Sequence, residues 1–166
     1  MAAGRRIELT PKEFQLLEVL RKQIGENLGQ KDSWLQSFVG NVVEWELKRY
    51  GVSPASYPAI GLADNVKSLT GEEVIAGFTL QNGKPVMALS LNHPTVRTDP
   101  AQLLMSIFHE THHLVDWTKD PFSYKREKNL PGDDPIEQLH ESEALEDLHA
   151  FLKYFVQWMM SKQPKS

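Results

Sequence analysis

His109, Glu110, His112 and His113 fall within five residues of one another, inside the apolar stretch SIFHETHHLVDW at residues 106–117. Imidazoles and carboxylates are costly to bury without partners, so their concentration in an apolar, helix-like segment asks for one. His109 and His113 stand four residues apart. On a helix that spacing puts both rings on one face, where they can reach a single ion. Glu110 is one residue further on, about 100° around the helix, so it can approach a water beside the metal without binding the metal itself. This is the pattern of metal-assisted hydrolysis, in which the ion acidifies water and a glutamate takes the proton. His112 is out of phase with the pair and reads as a hydrogen-bonded histidine at the helix edge.

The 166-residue chain contains no cysteine, so any metal must be held by imidazole and carboxylate. That donor set favours zinc, with other transition metals open. Catalytic zinc usually has three protein ligands. The position ten residues after His109 is Lys119, which excludes the pattern with a third histidine there. Asp116 shares the His109/His113 face and is a candidate ligand or an acceptor behind one. The last helix offers Glu137, Glu141, Glu143 and Glu146. Its apolar stripe is Ala144, Leu145, Leu148, Leu152, Phe155 and Met159, and helical phase puts Glu141 on that stripe. Glu137 falls near it one turn earlier, whereas Glu143 and Glu146 point largely toward solvent. A core-facing carboxylate needs a partner, so Glu141 is the expected third ligand.

These residues need elements to position them. TPKEFQLLEVLRKQI carries a capping box, Thr10 with Glu13, and Pro11 suits the first helical turn. Gly25 and Gly29 bound a polar connection to a second helix, starting near Asp32 or Ser33 and stopping at Gly51. SPASYPAIG at residues 53–61 reads as a proline-containing connector. Strands are expected at about 73–80 and 85–91, flanking Asn82-Gly83, a strong hairpin signal. Asp99 caps the motif helix and Pro100 takes its first turn. A polar loop follows, and a final helix runs over about 135–160. The order is helices, hairpin, helices. It implies one α+β domain over residues 1–166, with a helical N-terminal part to residue 60 and a core over 61–166.

HETHH followed by ESEALEDLHAFL resembles the gluzincin branch of the zinc metallopeptidases, and the small ImmA/IrrE-like single-domain members are similar in size and layout. In that group a downstream helix supplies a glutamate, often with a small residue three positions later, as Glu141 has in Ala144. Many members also place an aspartate four residues after the ligand. For Glu141 that position is Leu145, whereas Glu143 has Asp147, so the resemblance makes Glu143 the rival ligand. The resemblance covers roughly residues 72–155 by layout. It implies a zincin-like fold, zinc on His109, His113 and Glu141, and Glu110 as general base. It also implies that the strand before the motif helix, residues 86–93, forms the cleft edge and pairs with extended substrate. Tyr124, Tyr154, His93 and His140 are candidate oxyanion donors.

The expected function is zinc-dependent hydrolysis of a peptide bond in a protein or peptide substrate. The alternatives are a non-catalytic binding or regulatory module on the same fold, or a metal-dependent hydrolase of a non-peptide substrate. A net charge of −4 gives no reason to expect nucleic acid or an anionic membrane as partner. MAAGRRIELT lacks an apolar signal core, and no apolar run reaches the ~20 residues of a membrane helix, so a cytoplasmic location is expected.

Overall fold

The computed structural model describes residues 7–27, 32–68, 71–122, 130 and 134–162. Two long helices open it, α1 (Pro11–Asn27) and α2 (Asp32–Arg49). The capping box forms as the sequence implies. Thr10 N–H donates to Glu13 Oε1 at 3.0 Å and Glu13 N–H donates to Thr10 Oγ1 at 3.1 Å. α1 runs through Gly25 to Asn27, beyond the expected boundary, because a glycine weakens a helix without stopping it.

The connector at residues 53–61 carries more structure than its prolines suggest. A 3₁₀ turn, Pro54–Ser56, leads into β1 (Ala59–Ala63). Then come β2 (Val66–Lys67), β3 (Glu73–Val74), β4 (Ala76–Gln81) and β5 (Lys84–Ser90). Asn82 and Gly83 take φ of 54° and 75°, the two positive values that a tight hairpin between β4 and β5 requires. β1 pairs parallel to β5 on its other side, from Ala59 opposite Val86 to Ala63 opposite Ser90. The sheet order is therefore β1-β5-β4, and β2 and β3 form a separate antiparallel pair. The protein is α+β with a mixed rather than purely antiparallel sheet.

This order corrects one expectation. The strand before the motif helix, β5, is central and paired on both sides, so it has no free edge for an added strand. The outer strand next to the motif helix is β4.

A short helix α3 (Pro94–Thr98) precedes the motif helix α4 (Pro100–Lys119), and α5 (Pro135–Lys162) ends the described chain. Asp99 caps α4 by accepting from Gln102 N–H at 3.2 Å. Asp99→Ala should cost about 1 kcal/mol in chemical denaturation without changing the site, because only the exposed cap is lost. α4 is packed on several sides at once, by α2, α5 and β4. Leu103, Leu104, Ile107, Phe108 and Leu114 are fully buried on it, with Phe108 against Trp45 of α2 and Phe151 of α5. No helix among the described residues is long and apolar enough to cross a membrane.

Candidate metal centre

Because α4 is enclosed, its histidines are too. His109 and His113 are each 7% exposed, and His112 is 2% exposed. The partners of His109 and His113 come from the first two turns of α5, which crosses alongside. His109 Nε2 lies 2.8 Å from Glu137 Oε2, and His113 Nε2 lies 3.0 Å from Glu137 Oε1. One carboxylate thus joins both rings of the motif. Glu141 is buried, as its phase predicts, but its Oε1 sits 2.9 Å from His109 Nδ1, the far side of the ring. The structure brings Glu137, rather than Glu141, onto the edge that the two rings share. Both glutamates occupy one face of α5, four residues apart. Helical phase selects the face, and the docking of α5 on α4 selects the level along it.

The ligand atoms of His109, His113 and Glu137 all lie within 4.8 Å of one another, a spread compatible with one bound ion. Burial works against a charged ring at His109, but the Glu137 and Glu141 carboxylates and the charge on Glu110 overcome it and hold the ring's pKa up to about 10. His113 is raised too, against burial, by Glu137 and Glu110. Glu137 is held well below the usual carboxylate range, since the two rings outweigh the burial that opposes its charge. The carboxylates around these buried rings thus favour positive charge on the donors.

Glu110 lies one residue round α4, half-buried, and its Oε2 accepts a hydrogen bond from Phe78 N–H at 3.1 Å. Phe78 belongs to β4, so the candidate base faces the outer strand of the sheet. Among the other sequence-derived candidates, Asp116 stands behind His140, its Oδ2 3.0 Å from His140 Nε2. Glu143 is not turned to solvent as phase implied; it reaches His140 Nδ1 at 3.2 Å and His112 Nδ1 at 3.4 Å. His93 caps α3 through Nδ1, and Tyr154 stacks on Trp45 in the core. Tyr124 lies outside the described residues. Among the described oxyanion candidates, His140 is the one beside the pair, its ring 4.8 Å from that of His113.

A buried polar network behind the site was not anticipated. His112 Nε2 meets Asp147 Oδ2 at 2.6 Å, while Asp147 Oδ1 accepts from Arg49 Nη1 at 2.9 Å and from Tyr50 Oη at 3.2 Å. Arg49 also reaches Glu46 Oε1 at 3.2 Å. Burial and then the Asp147 carboxylate push Glu46 up to about 10, so Glu46 stays neutral and Asp147 keeps the charge. The signal was present in the sequence: Val39, Val42, Val43 and Glu46 fall at i, i+3, i+4 and i+7 on α2, which places a carboxylate on a buried stripe.

The raised groups set a pH dependence for the metal-free chain. His109 holds its proton from its usual 6.5 to about 10, and Glu46 from 4.5 to about 10. In those windows the folded state binds more protons than the unfolded state, so stability falls as pH rises. Denaturation midpoints of chelator-treated protein should therefore drop between pH 7 and 9. Glu46→Gln, which cannot ionise, should flatten that slope by up to about 1.4 kcal/mol per pH unit.

No family model matches the chain, and no curated protein or solved structure matches it either.

Proposed function

We propose that the protein is a zinc-dependent peptidase whose ion is held by His109, His113 and Glu137. The observation that carries this reading is the bridging of both motif Nε2 atoms by the two oxygens of Glu137. Two imidazoles and one carboxylate are a common donor set of catalytic zinc, and three protein ligands leave a position open. Glu141 then stands where a carboxylate behind a ligating histidine belongs, 2.9 Å from Nδ1 of His109, where it would orient the ring. The spacing also suits the gluzincin resemblance: the residue four after Glu137 is the acidic Glu141, although the small residue three after the ligand is replaced by His140.

A bound zinc ion supplies Lewis acidity, which acidifies water and polarises a carbonyl. Glu110 supplies the base. Its carboxylate takes a proton from the attacking water as the C–O bond forms, and passes it to the departing amine as the C–N bond breaks. The strand it faces gives the reading its substrate. β4 directs Phe78 N–H away from β5 toward Glu110, so an extended peptide added along that outer edge would lie near the base.

The same hydrogen bond favours a second reading, a non-catalytic module in which Glu110 ties α4 to β4. Zinc-loaded wild type and Glu110→Gln, each incubated with a proteome-derived peptide library, separate the two. New N-termini in the wild-type sample alone support the peptidase; identical termini in both samples support the binding module.

A further inference from the structure

His112 and His140 are not needed by the reading above, yet they are built into the same interior. They are 2% and 3% exposed, and their rings stack with centroids 5.6 Å apart and planes 15° from parallel. Both turn Nδ1 toward one carboxylate. His140 Nδ1 is 3.2 Å from Glu143 Oε1 and His112 Nδ1 is 3.4 Å from Glu143 Oε2. Both hold the opposite nitrogen against a different carboxylate. His112 Nε2 is 2.6 Å from Asp147 Oδ2, and His140 Nε2 is 3.0 Å from Asp116 Oδ2.

We propose that His112, His140 and Glu143 form a second site for a divalent transition-metal ion, beside the His109/His113/Glu137 site. The ligand atoms of the three residues lie within 4.8 Å of one another. A neutral imidazole has one N–H and one lone pair, so a ring with a carboxylate on each nitrogen needs either a second proton or a metal at one of them. An ion at the paired Nδ1 atoms satisfies both rings at once. Each ring then keeps a single N–H, at Nε2, for Asp147 or Asp116. Carboxylate–histidine–metal relays have this form, and here His112 makes the hydrogen bond to Asp147 while His140 holds Nε2 3.0 Å from Asp116. The first site shows the same logic with the nitrogens exchanged, Nε2 inward and Nδ1 on Glu141.

The helices explain how one interior carries two sites. His112 precedes His113 by one residue and so faces a different sector of α4. On α5, His140 and Glu143 are three residues apart and share a face, one turn beyond Glu137. The rings of His113 and His140 stand 4.8 Å apart, so the two sites adjoin. Two imidazoles and a carboxylate suit zinc, cobalt or nickel better than calcium or magnesium.

The test is metal stoichiometry on the full chain. Chelator-treated protein is equilibrated with Zn²⁺ near pH 7.5, freed of excess, and analysed by plasma mass spectrometry. We expect two zinc per wild-type chain, one in Glu143→Gln and in His140→Ala, and one in Glu137→Gln. The last variant separates the two assignments, because it removes the first ion and leaves the second. A wild-type chain with one zinc that Glu137→Gln abolishes overturns the second site and leaves the first standing. Two zinc retained in Glu143→Gln and His140→Ala also overturns it. Should either variant fail to fold, wild-type crystals soaked in zinc decide: an anomalous peak between His112 Nδ1 and His140 Nδ1 is expected, and its absence at full occupancy of the first site refutes the proposal.

Discussion

Glu110→Gln should retain zinc and the native fold yet lose peptide hydrolysis by about 10²–10⁴-fold, the range that general acid–base catalysis contributes. Glutamine keeps the length of the side chain and an oxygen that accepts from Phe78 N–H, the hydrogen bond seen at 3.1 Å. What it removes is the ability to take a proton from water and return it to the amine. The loss should appear in kcat and in kcat/KM together, since the interaction is made in the transition state. Zinc content must be measured alongside activity. An active, zinc-loaded Glu110→Gln would exclude the mechanism; loss of zinc or of the fold would make Glu110 a tie between α4 and β4.

The second large effect separates two glutamates one turn apart. Glu137→Gln should abolish stoichiometric binding at the His109/His113 site, because Glu137 is the carboxylate that meets both Nε2 atoms. Glu141→Gln should weaken that site by about 10- to 100-fold without abolishing it, the usual consequence of losing the carboxylate behind a ligating histidine. Glu141 reaches only the far nitrogen of His109. Titration with a competing chelator, in the Glu143→Gln background so that only this site is read, gives both values. The reverse order of effects would restore Glu141 as the ligand and make Glu137 its support.

Much of this was legible from residue types and spacing, and what was not has a physical reason. The four-residue separation of His109 and His113 fixes their common face on any helix. Asp99 with Pro100, Thr10 with Glu13, and Asn82 with Gly83 mark local boundaries by local chemistry, and each forms as read. The third carboxylate was not fixed in this way. Glu137 and Glu141 lie on one face of α5, and only the axial level of α5 against α4 distinguishes them. That level is a property of long-range packing, to which helical periodicity is blind. Helical phase misplaces Glu143 for a related reason: the flank of α5 that phase turns outward meets the His112 edge of α4. β1 escaped because Pro54 and Pro58 dominate its approach, and its partner, β5, lies more than twenty residues away. Without β1, the paired centre of the sheet read as an edge.

Zinc-dependent peptide hydrolysis is tested most simply by cleavage of a peptide library by chelator-stripped protein before and after zinc is restored. The stripped chain should cleave nothing, added zinc should restore cleavage, and Glu137→Gln should show no recovery. Equal cleavage by stripped and zinc-loaded protein would contradict zinc-dependent hydrolysis, as would a fully zinc-loaded wild-type chain that cleaves nothing in the library.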